Sequence, residues 1–342
     1  MAKIFITGGT GCIGASTVHN LLSRFGDDIE KVLIATRSSS TDQLAIWFGD
    51  TLQSVVDSGK IEFAAVDLGD KAAVKKAMLA FVPSHVIHLG ALQSPACQSD
   101  PEYGVAVNLT GTMNLFHAIA EFEKPIQRLV FASSAAVYGK RAIYPGDTVP
   151  EEAQLAPPNL YGVWKVAGEH LAALFEEQSG VATVCLRLNT TFGPGRDLGT
   201  TSAPTRVMKN FAVGAAEGQK RECLMPYKGR ENYHYVEDVG AHFAGVCMMP
   251  FEGFAAFNIK GKTIAVTEFL DKIVAVADEL GIGDFLTTGV SPDATPNLFV
   301  CDLEDSKIEN AFPGLPRTDL AEGIRKTLAK FQEMASEGLI KI

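Results

Sequence analysis

A serine, a tyrosine and a lysine at set spacing are the residues of this chain best suited to chemistry. Phe131-Ala132-Ser133-Ser134 closes an apolar run, and Tyr161-Gly162-Val163-Trp164-Lys165 opens a helical pattern further on. Residues four apart on a helix share a face, so Tyr161 and Lys165 point the same way. An ammonium beside a phenol favours the phenolate, which predicts a Tyr161 pKa lowered toward a value useful in proton transfer. Ser134 then holds a substrate oxygen while Tyr161 gives or takes its proton, and Lys165 can also reach a cofactor ribose. Tyrosine and lysine at this spacing are common on exposed helix faces, so the pair gains meaning only from what precedes it.

What precedes it is Ile4-Phe5-Ile6-Thr7-Gly8-Gly9-Thr10-Gly11-Cys12-Ile13-Gly14. An apolar strand, a glycine turn and a helical pattern over 13–22 are the context in which a glycine pattern becomes a dinucleotide site. Gly8 permits the tight turn, Gly11 lets the backbone approach a pyrophosphate, and Gly14 lets the helix lie close on the strand. The helix N-terminus offers free N–H groups and partial positive charge to phosphate. A glycine-rich turn without a ligand is the bland alternative. After the second strand, over 31–36, stand Thr36 and Arg37 and then Ser38-Ser39-Ser40. An NAD site of this kind carries an acidic residue there for the ribose 2′-hydroxyl, whereas a guanidinium pairs with a 2′-phosphate. This favours NADP over NAD as the NAD(P) cofactor.

The elements that must position these residues alternate. Helical patterns over 42–58, 71–81, 103–122 and 159–178 separate strands over 61–66, 85–89, 128–131 and 183–188. Such alternation predicts an α/β fold, a Rossmann-type doubly wound parallel sheet with right-handed crossovers. Its ligand crevice lies outside the C-terminal strand ends, where Gly8, Arg37, Asp67, Gly90 and Ser133 fall. From Phe192 the alternation breaks into loops rich in Pro and Gly. We expect a dinucleotide-binding domain over 1–191 and, over 192–342, mainly a smaller C-terminal substrate lobe. Segments near 232–265, including a strand over 255–260, return to the first domain, and helices follow over 267–280 and 319–333.

Composition narrows the partners. A formal charge of −10 over 342 residues argues against nucleic acid or an anionic membrane. Cys12, Cys97, Cys185, Cys223, Cys247 and Cys301 form no CxxC pair and no zinc spacing, so they read as reduced thiols in a cytoplasmic protein. A strand starting at residue 3 leaves no room for a signal peptide, and no apolar run reaches the ~20 residues that span a bilayer. His88 falls mid-strand and His117 on a packed helix, no histidine pair has metal spacing, and Met248-Met249 reads as core.

Taken together, these motifs resemble the extended short-chain dehydrogenase/reductases, the NAD(P)-dependent epimerase/dehydratase family, over nearly the whole chain. Thr7 to Gly14, with Cys12 and Ile13, looks like its cofactor fingerprint. Val66-Asp67-Leu68 resembles its adenine-facing strand end, and Val86-Ile87-His88-Leu89-Gly90-Ala91 its fourth strand. Asn108-Leu109-Thr110-Gly111-Thr112 is similar to its structural asparagine motif. The resemblance implies catalytic Ser134, Tyr161 and Lys165, with Asp67, Leu68, Leu89, Gly90, Ala91, Asn108 and Ser133 beside the cofactor. It also implies a homodimer pairing the helices over 103–122 and 159–178.

Two departures bear on substrate. Nucleotide-sugar members usually carry asparagine where Thr190 stands in Arg187-Leu188-Asn189-Thr190-Thr191-Phe192-Gly193-Pro194. They also usually carry a diphosphate-gripping arginine where Glu231 stands, beside Arg230, and a carboxylate there repels a diphosphate. In the stretch where the family contacts its substrate lie Arg196, Thr200, Thr201, Ser202, Arg206 and Arg230. Their hydroxyls suit sugar hydroxyls, and Arg206 or Arg196 can clamp a carboxylate bidentately. The function expected is therefore an oxidoreductase moving a hydride to or from a small hydroxylated substrate, such as a sugar or sugar acid. An epimerase on a sugar nucleotide with retained NAD is the alternative. A non-catalytic dinucleotide sensor has no need of the Ser/Tyr/Lys set.

Overall fold

The computed structural model describes residues 1–37, 40–122, 126–259, 261–296 and 300–340. The strands in chain order are β1 Ala2–Thr7, β2 Ile29–Thr36, β3 Ile61–Ala65, β4 His85–His88, β5 Arg128–Ser134 and β6 Ala182–Leu188. After them come β7 Thr190–Phe192, β8 Arg221–Lys228, β9 Arg230–Tyr235, β10 Phe254–Asn258, β11 Lys262–Ala265 and β12 Leu286–Pro296.

Seven strands form one sheet in the order β10-β6-β5-β4-β1-β2-β3, every pair parallel. The central strands are nearly continuous apolar runs because helices cover both faces. Ile4, Ile6, Val32 and Ile34 are buried with Val18 and Leu21 of the helix Cys12–Phe25 and Val239 and Phe243 of the helix Val236–Met248. On the other face Phe5, Val86 and Leu129 meet Val74 and Met78 of Lys71–Phe81, Leu115 of Gly111–Ala120 and Phe175 of Leu160–Ser179. The strand order reverses between β1 and β4, which opens a crevice at their C-terminal ends.

A separate core lies over Phe192, Phe211, Tyr233, Tyr235, Phe269, Leu270, Ile324 and Phe331. Its strands make two small sheets, β11-β9-β7 and β12-β8. The return to the main sheet expected over 232–265 is carried by the helix Val236–Met248 and by β10, while β9 and β11 belong to a small sheet. Lys260, the last residue of the expected strand, lies outside the described residues. Part of the tail also returns: Ile308 and Phe312 are buried in the core beside β10.

Two expected helices are interrupted. The stretch 42–58 divides into Asp42–Phe48, a single 3-10 turn at Gly49–Thr51, and Leu52–Asp57, the break falling at Gly49 with φ +50°. The stretch 103–122 contains a π-helical turn at Ala106–Thr110 between Pro101–Val105 and Gly111–Ala120. Inside that turn the Asn108 amide accepts from Leu92 N at 2.7 Å and donates to Leu92 O at 3.0 Å, trading helix regularity for a tie to the loop after β4. Among the described residues no helix is long and apolar enough to cross a membrane.

Candidate active site

One cleft of about 800 Å³ runs along the C-terminal strand ends and under the loops of the smaller core. Its floor at one end is backbone. Gly8 has φ +71°, and a Cβ on it would stand 2.9 Å from Gly90 N. A Cβ on Gly14 would stand 2.1 Å from the Gly8 carbonyl oxygen, so helix and turn meet only because position 14 is bare. Ala15 N donates to Gly11 O, which starts the helix without a capping side chain and leaves its first N–H groups toward the cleft.

His88 holds this end from behind. Gly90 N donates to Thr7 Oγ1 at 3.0 Å, and Thr112 Oγ1 donates to Asn108 O at 2.8 Å. With those protons placed, Thr7 donates to His88 Nδ1 at 2.7 Å and His88 Nε2–H donates to Thr112 at 2.9 Å. Burial lowers the His88 pKa to about 3, with the Lys165 charge adding to the fall, so the ring stays neutral and structural.

Ser134, Tyr161 and Lys165, expected to react, lie where the helix Leu160–Ser179 crosses the end of β5. Asn159 caps that helix, its side chain accepting from Gly162 N at 2.9 Å. The helix approaches closely at two glycines: a Cβ on Gly162 would meet Ala136 O at 2.2 Å, and one on Gly168 would meet the Phe131 ring at 2.5 Å. Tyr161 is half-buried beside Ser134, whose hydroxyl accepts from Ala136 N at 3.2 Å and donates to Leu188 O at 3.4 Å. Lys165 is 5% exposed; its Nζ donates to Ala132 O at 2.5 Å and lies 4.9 Å from the Phe131 ring centroid and 5.6 Å from that of Tyr161.

The lowered tyrosine pKa expected from this pair is not found. Burial raises Tyr161 to about 12, with Ser134 and Arg196 pulling the other way, and burial lowers Lys165 to about 8. For both groups the cost of taking the charge out of water outweighs the neighbours that favour it. Tyr161 is accordingly a neutral phenol.

Of the residues expected beside a cofactor, Gly8, Gly11, Cys12, Ile13, Gly14, Thr36, Arg37, Asp67, Leu68, Leu89, Gly90, Ala91, Ser133, Tyr161 and Lys165 all line the cleft. Asn108 does not; its amide is spent on Leu92 and on Cys97 Sγ. Arg37 is exposed, donates to the Tyr103 hydroxyl and stands 5.6 Å from that ring's centroid.

Of the residues expected at a substrate, Ser134, Arg196 and Thr201 line the cleft. Arg196 Nη1 donates to Leu198 O at 2.8 Å and Nη2 to Thr201 Oγ1 at 2.9 Å, while its buried Nε makes no hydrogen bond. Four expected contacts lie elsewhere. Thr190 is fully buried, because alternation along β7 turns Thr191 to the cleft and Thr190 to the core. Ser202 bonds Gly199 O at 2.7 Å, Arg206 is exposed on the helix Ala203–Glu217, and Arg230 is exposed and pairs with Asp302 at 3.8 Å. The Thr200 side chain lies outside what is described. Glu231, expected to face a diphosphate, is fully buried beneath the cleft near Tyr227 and Tyr233, accepting from Asn232 N at 3.0 Å.

Sequence reading missed Gln93, Ser94, Asn159, Asn189, Thr191, Tyr227 and Thr295, all of which line the cleft. Only Asn159 carried a local signal, an amide residue just before a helical pattern. Tyr227 and Thr295 arrive on β8 and β12, strands paired far apart in sequence.

Comparison with known proteins agrees with this geometry. The model of the NAD dependent epimerase/dehydratase family matches residues 4–259. A dTDP-L-rhamnose 4-epimerase of Burkholderia thailandensis is 24% identical over 335 residues, covering 89% of this chain and 88% of the relative. The structure of a UDP-glucose 4-epimerase of Thermus thermophilus complexed with NAD superposes with a TM-score of 0.73 and 26% identity, covering 96% of this chain and 98% of that one. An L-threonine dehydrogenase from Clostridium difficile superposes with a TM-score of 0.74 at 22% identity, covering 100% and 99%. The matched span begins at the first strand, ends beyond β10 and takes in the glycine turn with Ser134, Tyr161 and Lys165; the chain thus belongs to the NAD dependent epimerase/dehydratase family and is an enzyme of the extended short-chain dehydrogenase/reductase type.

Proposed function

We propose that the protein oxidises a hydroxyl or reduces a carbonyl on a compact hydroxylated acid, a sugar acid being the class the cleft fits best. The observation that carries this reading is Arg196. Among the described residues Arg37 and Arg196 are the arginines lining the cleft, and Arg196 is the one whose charge acts on Tyr161. Its guanidinium is a donor group for a carboxylate, and Thr191 and Thr201 line the same cleft. The other arginine candidates, Arg206 and Arg230, do not line the cleft.

A dinucleotide fits the other end: the bare positions at Gly8 and Gly14 leave a cradle that side chains would fill, and Asp67, Leu68, Leu89 and Gly90 wall it. When bound, its nicotinamide supplies the hydride donor or acceptor. Arg37 and Ser40 line the adenine end and Thr36 stands where an acid would favour NAD, which supports NADP over NAD. Ser134 orients the substrate oxygen, and the neutral Tyr161 phenol gives it a proton in the reducing direction. Lys165, buried with a pKa near 8, keeps its charge beside the phenol at neutral pH and favours the proton leaving.

The relatives favour a second reading. The Burkholderia and Thermus proteins bear the names of nucleotide-sugar epimerases, and such an enzyme uses the same three residues while retaining its cofactor. The fold itself is shared by an epimerase and a threonine dehydrogenase, so it leaves the choice to the cleft. We further infer a cytoplasmic homodimer. Its support is six unpaired cysteines and the exposed apolar side chains Tyr103, Val105, Met113, Leu160, Val163 and Leu174 on the two helical segments expected to pair.

The test is a panel of sugar acids, neutral sugars and sugar nucleotides, followed by nicotinamide absorbance and product NMR. Net reduction of added cofactor with an acid is the expected result. Bound cofactor in the purified protein, no net reduction and turnover of a sugar nucleotide alone would replace this reading with the epimerase.

A further inference from the structure

Beneath the reacting residues lies a pair of charges so far without a role. The side chains of Glu169 and Arg187 are each 5% exposed. Glu169 Oε1 accepts from Arg187 Nε at 2.8 Å and Oε2 from Arg187 Nη2 at 2.7 Å. Arg187 Nη1 donates to the Tyr138 hydroxyl and to Glu151 O, both at 2.7 Å, and Tyr138 donates to Asn258 Oδ1 at 2.8 Å. Burying such a pair costs desolvation that its attraction only about balances, so stability alone is a weak reason to keep it.

The remaining bond suggests the reason. Glu169 Oε1 also accepts from Ser133 Oγ at 2.5 Å. Tyr161, Lys165 and Glu169 succeed one another at four-residue steps on one helix face. They meet three successive residues at the end of β5: Tyr161 lies beside Ser134, Lys165 bonds Ala132 O, and Glu169 bonds Ser133. Arg187, one strand over on β6 and paired in register with Ser133, fixes the Glu169 carboxylate in its place. Burial lowers the Lys165 pKa, and Cys97, Cys185 and, least of the three, Glu169 act to raise it, with neutral His88 also facing it.

We propose that Glu169 is a positioning residue for the reaction, locking Ser133 so that Ser134 and Lys165 keep their register against Tyr161. The proposal rests on the reading of Ser134, Tyr161 and Lys165 as the reacting set. If it holds, Ser133→Ala, which cuts only the hydroxyl link, lowers kcat about tenfold while KM, cofactor Kd and Tm stay nearly unchanged. Glu169→Gln lowers kcat further and moves the alkaline limb of its pH profile to lower pH, because a neutral amide no longer supports the Lys165 ammonium. Should Glu169→Gln fail to fold with Arg187 left unpaired, Ser133→Ala alone decides. A Ser133→Ala enzyme with kcat within twofold of the parent overturns the proposal, and so does a loss of kcat matched by an equal loss of cofactor affinity. Tyr161→Phe run beside it separates the two levels: if that variant keeps turnover, the reacting set itself is misassigned.

Discussion

At one end of the cleft the wall is backbone, and at the other it is side chains. The backbone end, proposed to hold the dinucleotide, is made of a turn at Gly8, a helix start at Gly11 and a contact at Gly14 that leaves 2.1 Å for a Cβ. The side-chain end, proposed to hold the substrate, is made of Arg196, Thr201, Thr191, Tyr227 and Thr295, carried on a loop and on strands from three separate stretches. A backbone-built site tolerates almost no substitution and serves one ligand class. A side-chain-built site is retuned by single residues, which is how one fold serves several substrates. Tyr161 and Lys165 stand where the two halves meet.

Breaking the junction should have the largest effect. Tyr161→Phe removes the proton donor alone, so turnover falls by about 10² or more with fold and cofactor binding intact, as steady-state kinetics and cofactor titration would record. Next comes the backbone half. Gly14→Ala forces the helix off the turn, costing about 1–3 kcal/mol of stability. Losing even one charge-assisted N–H bond to phosphate weakens dinucleotide binding by roughly ten- to a hundredfold. Thermal unfolding and a fluorescence titration would measure both. If Gly14→Ala binds normally, the backbone account of that end is wrong.

Arg196→Ala probes the side-chain half. It should raise KM for a sugar acid about ten- to a hundredfold and leave a neutral analogue unaffected, with no change in cofactor Kd. Equal loss for acid and neutral sugar would remove the carboxylate clamp. Arg37→Ala should weaken NADP by about tenfold and NAD little, a modest effect because the guanidinium is exposed and shared with Tyr103. A separate effect is on stability with pH. His88 is neutral with its pKa lowered to about 3, so the unfolded chain binds more protons between that value and 6.5. Stability from this group is therefore full above about pH 6.5 and falls as pH drops toward 3. Urea unfolding between pH 7 and 4 should show the slope, and His88→Gln should flatten it.

The sequence alone determined the parallel sheet and the backbone half of the cleft. Alternating apolar runs and helical periods specify the strands, and the glycines at positions 8, 11 and 14 act within seven residues of one another, so local spacing carries their meaning. The four-residue step from Tyr161 to Lys165 was legible for the same reason. What the tertiary structure decided is everything that depends on distant segments meeting. Strand alternation put Thr191 rather than Thr190 in the cleft, and the pairing of β8 with β12 brought Tyr227 and Thr295 to it. Folding left Arg206 and Arg230 outside the cleft and Arg196 within it, although all three looked alike in the sequence. The protonation of Tyr161 was decided the same way: proximity to a lysine is written in the spacing, but the burial that outweighs it exists only once the chain has closed around both.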